Sequence, residues 1–188
     1  MILSKRAFDL VVGLPAAMVA MPIGAIVGLA VLVTSGRPVF LVQGRVGEAE
    51  RPFRVVKFRT MRRGVPVVAK SLLVPSQALY TPLGRFLRRS SLDELPQLWN
   101  VLRGEMSLVG PRPPLPSQDD LLALRRRHGI NADPPGITGL AQVLGRESIT
   151  LSSKVRCEAL YHRRRSVRLD LAILAWTLRT LVDRRGAY

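Results

Sequence analysis

The chain has 188 residues, room for one ordinary domain with a short appendage and for a real core, but not for a second large domain. Its 29 Lys and Arg against 13 Asp and Glu give a formal charge of +16, which favours anionic partners such as nucleic acid, anionic lipid or phosphorylated substrates. With one cysteine (Cys157, read as a small apolar residue) and two histidines, the composition excludes a disulfide framework and gives no support for a zinc site or a Cys/His dyad. Any metal must then be hard and carboxylate-bound, such as Mg²⁺.

Residues 10–33, LVVGLPAAMVAMPIGAIVGLAVLV, carry no charge over 24 positions, more than the roughly 20 that a straight helix needs to cross a bilayer. The run exceeds the roughly 7–15 residues of a signal-peptide core and has no clear cleavage site, so it is expected to stay in the mature protein. Lys5 and Arg6 precede it, and Arg37, Arg45, Arg51, Arg54, Lys57 and Arg59 follow. Both flanks therefore read as cytoplasmic by the positive-inside rule. Pro22 near the middle predicts a kink or break, leaving halves of about 18 Å each, short of a hydrocarbon core of about 30 Å. These features favour a re-entrant helical hairpin; a proline-kinked spanning helix is the alternative.

After a linker, residues 39–43 and 53–58 alternate as two short strands around a polar turn at 47–51. Lys57 and Arg59 share one strand face, a pair of cations aimed at something negative or at solvent. Residues 62–80 read as a loop with one short helix. TPLGRFLRR (81–89) predicts a short basic helix presenting Arg85, Arg88 and Arg89. SLDELPQLWNVLRG (91–104) predicts an amphipathic helix stopped by Gly104, with Ser91 and Glu94 as a capping box and Asp93 and Glu94 at the helix N-terminus. MSLVG (106–110) is a buried-strand pattern that runs into PRPPLP, a stiff loop holding Arg112 between prolines. A polar helix at 118–127, a glycine-punctuated loop and strand at 133–146, and helices from 152 onward complete the chain. The segment 169–182, with Trp176 and flanking Arg168, Arg179, Arg184 and Arg185, suits a membrane interface.

A carboxylate pair beside arginines has a structural reading, capping and ion pairing worth about 1–2 kcal/mol. It has a functional one only in company. Here the company is Arg112, Lys57 and Arg59, Arg146 at the end of the 136–145 loop, and an embedded N-terminus. Arginines on stiff backbone suit phosphate, Mg²⁺ on carboxylates can bridge phosphates, and an aspartate can attack phosphorus.

KFRTM (57–61), SLDELPQLWNVLRGEMSLVGPRP (91–113) and PGITGLAQV (135–143), in that order and after KRAFDL (5–10), resemble the bacterial sugar transferases, the monotopic polyprenol-phosphate phosphoglycosyl transferases. The resemblance covers nearly the whole chain. It implies a mixed α/β, helix-dominated fold with a small β-sheet. Residues 1–36 would be a membrane-embedded re-entrant helix and 37–188 a cytoplasmic, membrane-associated catalytic domain with interfacial helices, without the extra spanning helices of longer members. The implied reaction moves a sugar-1-phosphate from a UDP-sugar to polyprenol phosphate, releasing UMP, at the cytoplasmic face of the bacterial inner membrane. Downstream glycosyltransferases are implied as further partners. Asp93 would be the nucleophile, and Glu94 would help to hold Mg²⁺ or assist the acceptor. Lys57, Arg59, Arg88, Arg112 and Arg146 would bind phosphate or substrate.

Four positions depart from the family pattern. Met21 stands before Pro22 where Ser is frequent; Leu140 and Leu144 replace a Trp and an Asn; and Glu158 stands where Asp is common, as a metal or site carboxylate or as a surface helix glutamate. The charge alone would also suit a nucleic-acid-binding protein. The ten Phe, Tyr and Trp form no recognisable stacking motif, so no nucleic-acid partner is expected.

Overall fold

The computed structural model describes residues 3–65, 79–145 and 149–182. Arg146, most of the 62–80 segment, and Arg184 and Arg185 lie outside the described residues. The apolar run is a single helix, α1 (Leu3–Ser35), that contains both Pro15 and Pro22. Of the kink or break expected at Pro22, the break does not occur: each proline removes one donor, while the residues on either side stay helical. At 1.5 Å per residue such a helix is about 50 Å long.

Both ends of α1 pack on the folded body, and its middle does not. Near the start, Phe8 joins a core with Val55, Val101, Met106, Leu108, Val109, Leu140, Tyr161 and Ile173. Near the end, Val27 and Val31 pack with Phe58 and Leu87. Between them Leu14, Met18, Val19 and Met21 are exposed. The KRAFDL motif explains the first anchorage. Lys5 Nζ donates to Asp170 Oδ2 at 2.7 Å, and Arg6 donates to the carbonyls of Val101 and Leu102, each at 2.5 Å. Asp9 Oδ1 accepts from Ser107 Oγ at 2.9 Å and from Leu108 N at 3.0 Å.

The two expected strands form an antiparallel hairpin, β1 (Phe40–Val46) and β2 (Pro52–Phe58), with Phe40 opposite Phe58 and Val46 opposite Pro52. A short basic helix follows, α2 (Gly84–Arg89), which begins two residues later than a Thr81 cap with Pro82 in the first turn suggested. Thr81 is instead buried, and its hydroxyl lies 3.3 Å from the Thr60 carbonyl. A 3₁₀ turn at Leu92–Glu94 leads into α3 (Gln97–Arg103), which Gly104 ends at φ +84° as expected.

The second sheet is parallel and minimal: β3 (Ser107–Val109) pairs with β4 (Gly136–Thr138). Gly110 and Gly136 make this crossing possible. A Cβ on Gly110 would sit 2.4 Å from the Pro134 carbonyl oxygen, and one on Gly136 would sit 2.1 Å from Gly110 N. Between the strands lies α4 (Asp119–Arg127). After them come α5 (Leu140–Gly145), α6 (Leu151–Arg164) and α7 (Val167–Val182). Helix α5 corrects the expected loop: Gly139 ends the close strand crossing, and Leu140 and Ala141 then bury on the core side. Thr150 caps α6 by accepting from Ser153 N. Helix α7 buries Ile173 and exposes Leu171, Trp176 and Leu178, so its two faces differ as the sequence implied.

Candidate active site

Asp93 and Glu94 sit in the 3₁₀ turn before α3, and the capping box expected there does not form. Ser91 adopts φ +56°, ψ 15°, the left-handed region, and makes no side-chain cap. Glu94 does not reach back to the turn. Its Oε1 accepts from Lys57 Nζ at 2.8 Å and from Arg112 Nη2 at 2.7 Å. Two cations on one carboxylate oxygen outcompete one backbone amide.

The two neighbouring carboxylates are thereby set far apart in acidity. Burial alone would raise both. At Glu94 the charges of Arg112 and Lys57 outweigh it and hold the carboxyl well below the usual carboxylate range. Asp93 is 7 % exposed. Among the described residues no hydrogen-bond donor or ion-pair partner sits on its carboxylate. Burial, and then the negative charge of Glu94, push its pKa up to about 6 against the opposing pull of Lys57, Arg88 and Arg112. The result is a buried carboxylate poised near neutrality, beside one that is always ionised.

The other expected residues divide. Lys57 and Arg112 pair directly with Glu94 and act on Asp93 only through their charge. Burial, and then the Arg112 charge, lower the Lys57 pKa, while Glu94 opposes the shift. Arg88 acts electrostatically on Asp93; its Nε donates to Thr60 Oγ1 at 3.0 Å, and its guanidinium lies 5.3 Å from the Tyr80 ring centroid. Arg59 does not join them. It is buried and donates to the carbonyls of Ser35, Gly36 (2.8 Å) and Arg37 (3.0 Å), closing the C-terminal end of α1. Strand alternation put Lys57 and Arg59 on one face, but strand β2 ends between them at Phe58, and the two side chains go to Glu94 and to the end of α1 respectively.

Glu158 is neither a surface residue nor free for a metal. It is buried in a two-bond ion pair with Arg125, at 2.6 and 2.8 Å. Arg45 was legible only as one of many flanking cations, and it also belongs here. Burial, and then the Arg112 charge, lower its pKa to about 10, with Glu94 opposing. Cations around Asp93 and Glu94 thus outnumber the carboxylates two to one, a surplus suited to a diphosphate. Among the described residues no group of three or more His, Cys, Asp and Glu side chains forms a protein-only metal cage. Magnesium binds through one or two carboxylates together with substrate phosphates, so Asp93 and Glu94 fit it as a partial ligand set.

The sequence model of the bacterial sugar transferases matches residues 1–184. Among curated proteins, the chain is 36 % identical over 98 % of its length to the UDP-galactose-lipid carrier transferase of Erwinia amylovora, covering 41 % of that protein. It is 38 % identical over 99 % of its length to the undecaprenyl-phosphate glucose phosphotransferase of Komagataeibacter xylinus, covering 37 %. It is 32 % identical over 99 % of its length to the exopolysaccharide production protein ExoY of Sinorhizobium fredii (strain NBRC 101917 / NGR234), covering 88 %. The chain thus spans about two fifths of the length of the first two and most of the third.

Proposed function

Because the chain belongs to the bacterial sugar transferase family, we propose that it transfers a sugar-1-phosphate from a UDP-sugar to a polyprenol phosphate such as undecaprenyl phosphate. The observation that carries this reading is the contrast within the Asp93–Glu94 pair: one buried carboxylate with no donor on it among the described residues, the other locked by Lys57 and Arg112. A nucleophile needs a lone pair that no strong donor occupies, and its neighbour needs to be fixed.

The proposed reaction has two displacements at one phosphorus. The ionised Asp93 oxygen attacks the sugar-linked phosphorus, a new O–P bond forms, and the bridging P–O bond breaks to release UMP. An oxygen of the polyprenol phosphate then attacks the same phosphorus. The acyl-phosphate bond breaks, Asp93 is regenerated, and the product is a polyprenol diphosphate sugar, the starting lipid for downstream glycosyltransferases. Lys57, Arg88 and Arg112 hold phosphate oxygens and offset the negative charge that gathers around phosphorus. Mg²⁺, when bound, would be held by Glu94 and by the Asp93 oxygen that does not attack, and would supply further charge neutralisation at the diphosphate.

The same reading places the protein on the cytoplasmic face of the inner membrane. Support comes from α1, whose exposed apolar middle is suited to lipid while both of its ends bear on one body. A helix that crosses a bilayer delivers its ends to opposite sides. The exposed Trp176, Leu171 and Leu178 of α7 suit the interface, where a soluble donor and a lipid acceptor both reach the site.

The test is UMP release by the purified full chain with Mg²⁺ and a panel of UDP-sugars. Sustained release with undecaprenyl phosphate, and at most one equivalent without it, is expected. Equal sustained release with and without acceptor would overturn the assignment.

A further inference from the structure

Arg112 stands in the sequence Pro111-Arg112-Pro113-Pro114. Three of these residues lack a backbone N–H, so the loop cannot brace itself with hydrogen bonds of its own. Its carbonyls are instead held from outside, each by a different donor. Gly136 N donates to Pro111 O at 2.9 Å, and Val46 N to Pro114 O at 3.1 Å. The two middle carbonyls are taken by side chains: Arg125 Nη2 donates to Arg112 O at 2.9 Å, and Arg45 Nη1 to Pro113 O at 3.0 Å.

Arg125 is 3 % exposed, and Glu158 fixes it through two further bonds. A buried ion pair is a poor device for stability alone, because desolvation consumes much of the attraction, and apolar residues of similar volume often do as well or better. Among the described residues, the pair's one other side-chain hydrogen bond goes to the Arg112 carbonyl. That bond fixes the backbone from which the Arg112 guanidinium reaches Glu94.

We propose that Arg125, locked by Glu158, is a positioning residue for Arg112: the buried pair aims the Arg112 guanidinium at the diphosphate, with Arg45 holding the next carbonyl. This rests on the reading of Arg112 as a phosphate ligand. Glu158 thus acts on the reaction at a distance, through Arg125 and the loop backbone, without touching substrate or metal.

The test uses the full chain in phospholipid nanodiscs, with UDP as the probe. Removing one partner alone leaves a buried unpaired charge and threatens folding, so the pair is replaced together as Arg125→Met with Glu158→Leu. Misplacing a phosphate ligand by about an ångström is expected to weaken UDP binding by about tenfold. The melting temperature should stay close to that of the wild type. Arg112→Ala should weaken UDP at least as much. Adding the pair replacement to Arg112→Ala should change affinity by less than about twofold, because the pair acts only through Arg112.

The KM for the UDP-sugar should rise in the pair variant by about the same factor as UDP binding weakens, with kcat changed less. A purely structural role would lower kcat through the folded fraction and leave KM in place. Wild-type-like UDP affinity in the pair variant, or losses that multiply in the triple variant, would overturn the proposal. Wild-type-like affinity in Arg112→Ala would overturn the underlying reading of Arg112, an outcome distinct from either.

Discussion

At Asp93 the requirements of stability and of the proposed chemistry oppose each other. A carboxyl in the unfolded chain releases its proton near pH 4, whereas burial and Glu94 keep Asp93 protonated up to about pH 6. The folded state therefore holds the proton more tightly than the unfolded state. Above about pH 6 the ionised group costs the native state on the order of 2–3 kcal/mol, and that cost fades as pH falls from about 6 to 4. Asp93→Asn is expected to abolish transfer and yet to raise the melting temperature at pH 8, with a smaller gain at pH 5; thermal unfolding at the two pH values checks it. A lower melting temperature at pH 8 would show that the ionised form is not under strain. Asp93, Glu94, Lys57, Arg88 and Arg112 were legible because scarce acids beside motif-bound cations stand out in a chain this basic. Arg59 and Glu158 were not, because residue type and alternation do not reveal a partner distant in sequence: carbonyls at the end of α1 for one, Arg125 for the other.

Among the elements, those with a strong period were legible and those fixed by close backbone approach were not. The hairpin, α3 with its glycine stop, α4, α6 and α7 follow from alternation, three-to-four spacing and caps. The turn at Ser91–Glu94 was misread as a cap because the motif for a capping box is local, whereas two cations from β2 and the 111–114 loop claim Glu94. The β3–β4 crossing depends on glycine where a side chain has no room. Gly110→Ala puts a methyl against the Pro134 carbonyl oxygen, backbone that cannot swing aside, and so pushes on the segment that carries Arg112. A loss of about 2–4 kcal/mol is expected for such overpacking, together with weakened UDP binding. Denaturant titration and calorimetry check the two effects. By contrast, a methyl on Gly24 or Gly28 of α1 meets Phe58 at 3.8 or 3.5 Å, ordinary contact, so alanine is expected to be tolerated there.

At the scale of the whole molecule, α1 decides where the chemistry happens. Two anchorages, one through Lys5, Arg6 and Asp9 and one through Val27, Val31 and Arg59, tie the ends of one apolar helix to the body that carries Asp93. The partners of these anchorages, distant in sequence, were not legible, and neither was the continuity of the helix through Pro22, since proline penalises but does not forbid helix when its neighbours are apolar and helix-forming. Single cysteines replacing Ser4 and Thr34, in a chain with Cys157→Ser, should both be labelled from the cytoplasmic side in membrane vesicles. Labelling of one from the opposite side would establish a spanning helix.

The central claim is that Asp93 carries the sugar phosphate between donor and acceptor. Its most direct measurement is peptide-level mass spectrometry of the full chain after brief incubation with Mg²⁺ and a UDP-sugar that supports UMP release, without polyprenol phosphate. The account predicts a sugar-phosphate adduct on the peptide containing Asp93, absent from Asp93→Asn and discharged when undecaprenyl phosphate is added. Full turnover with no adduct at any time, or turnover retained in Asp93→Asn, would contradict it.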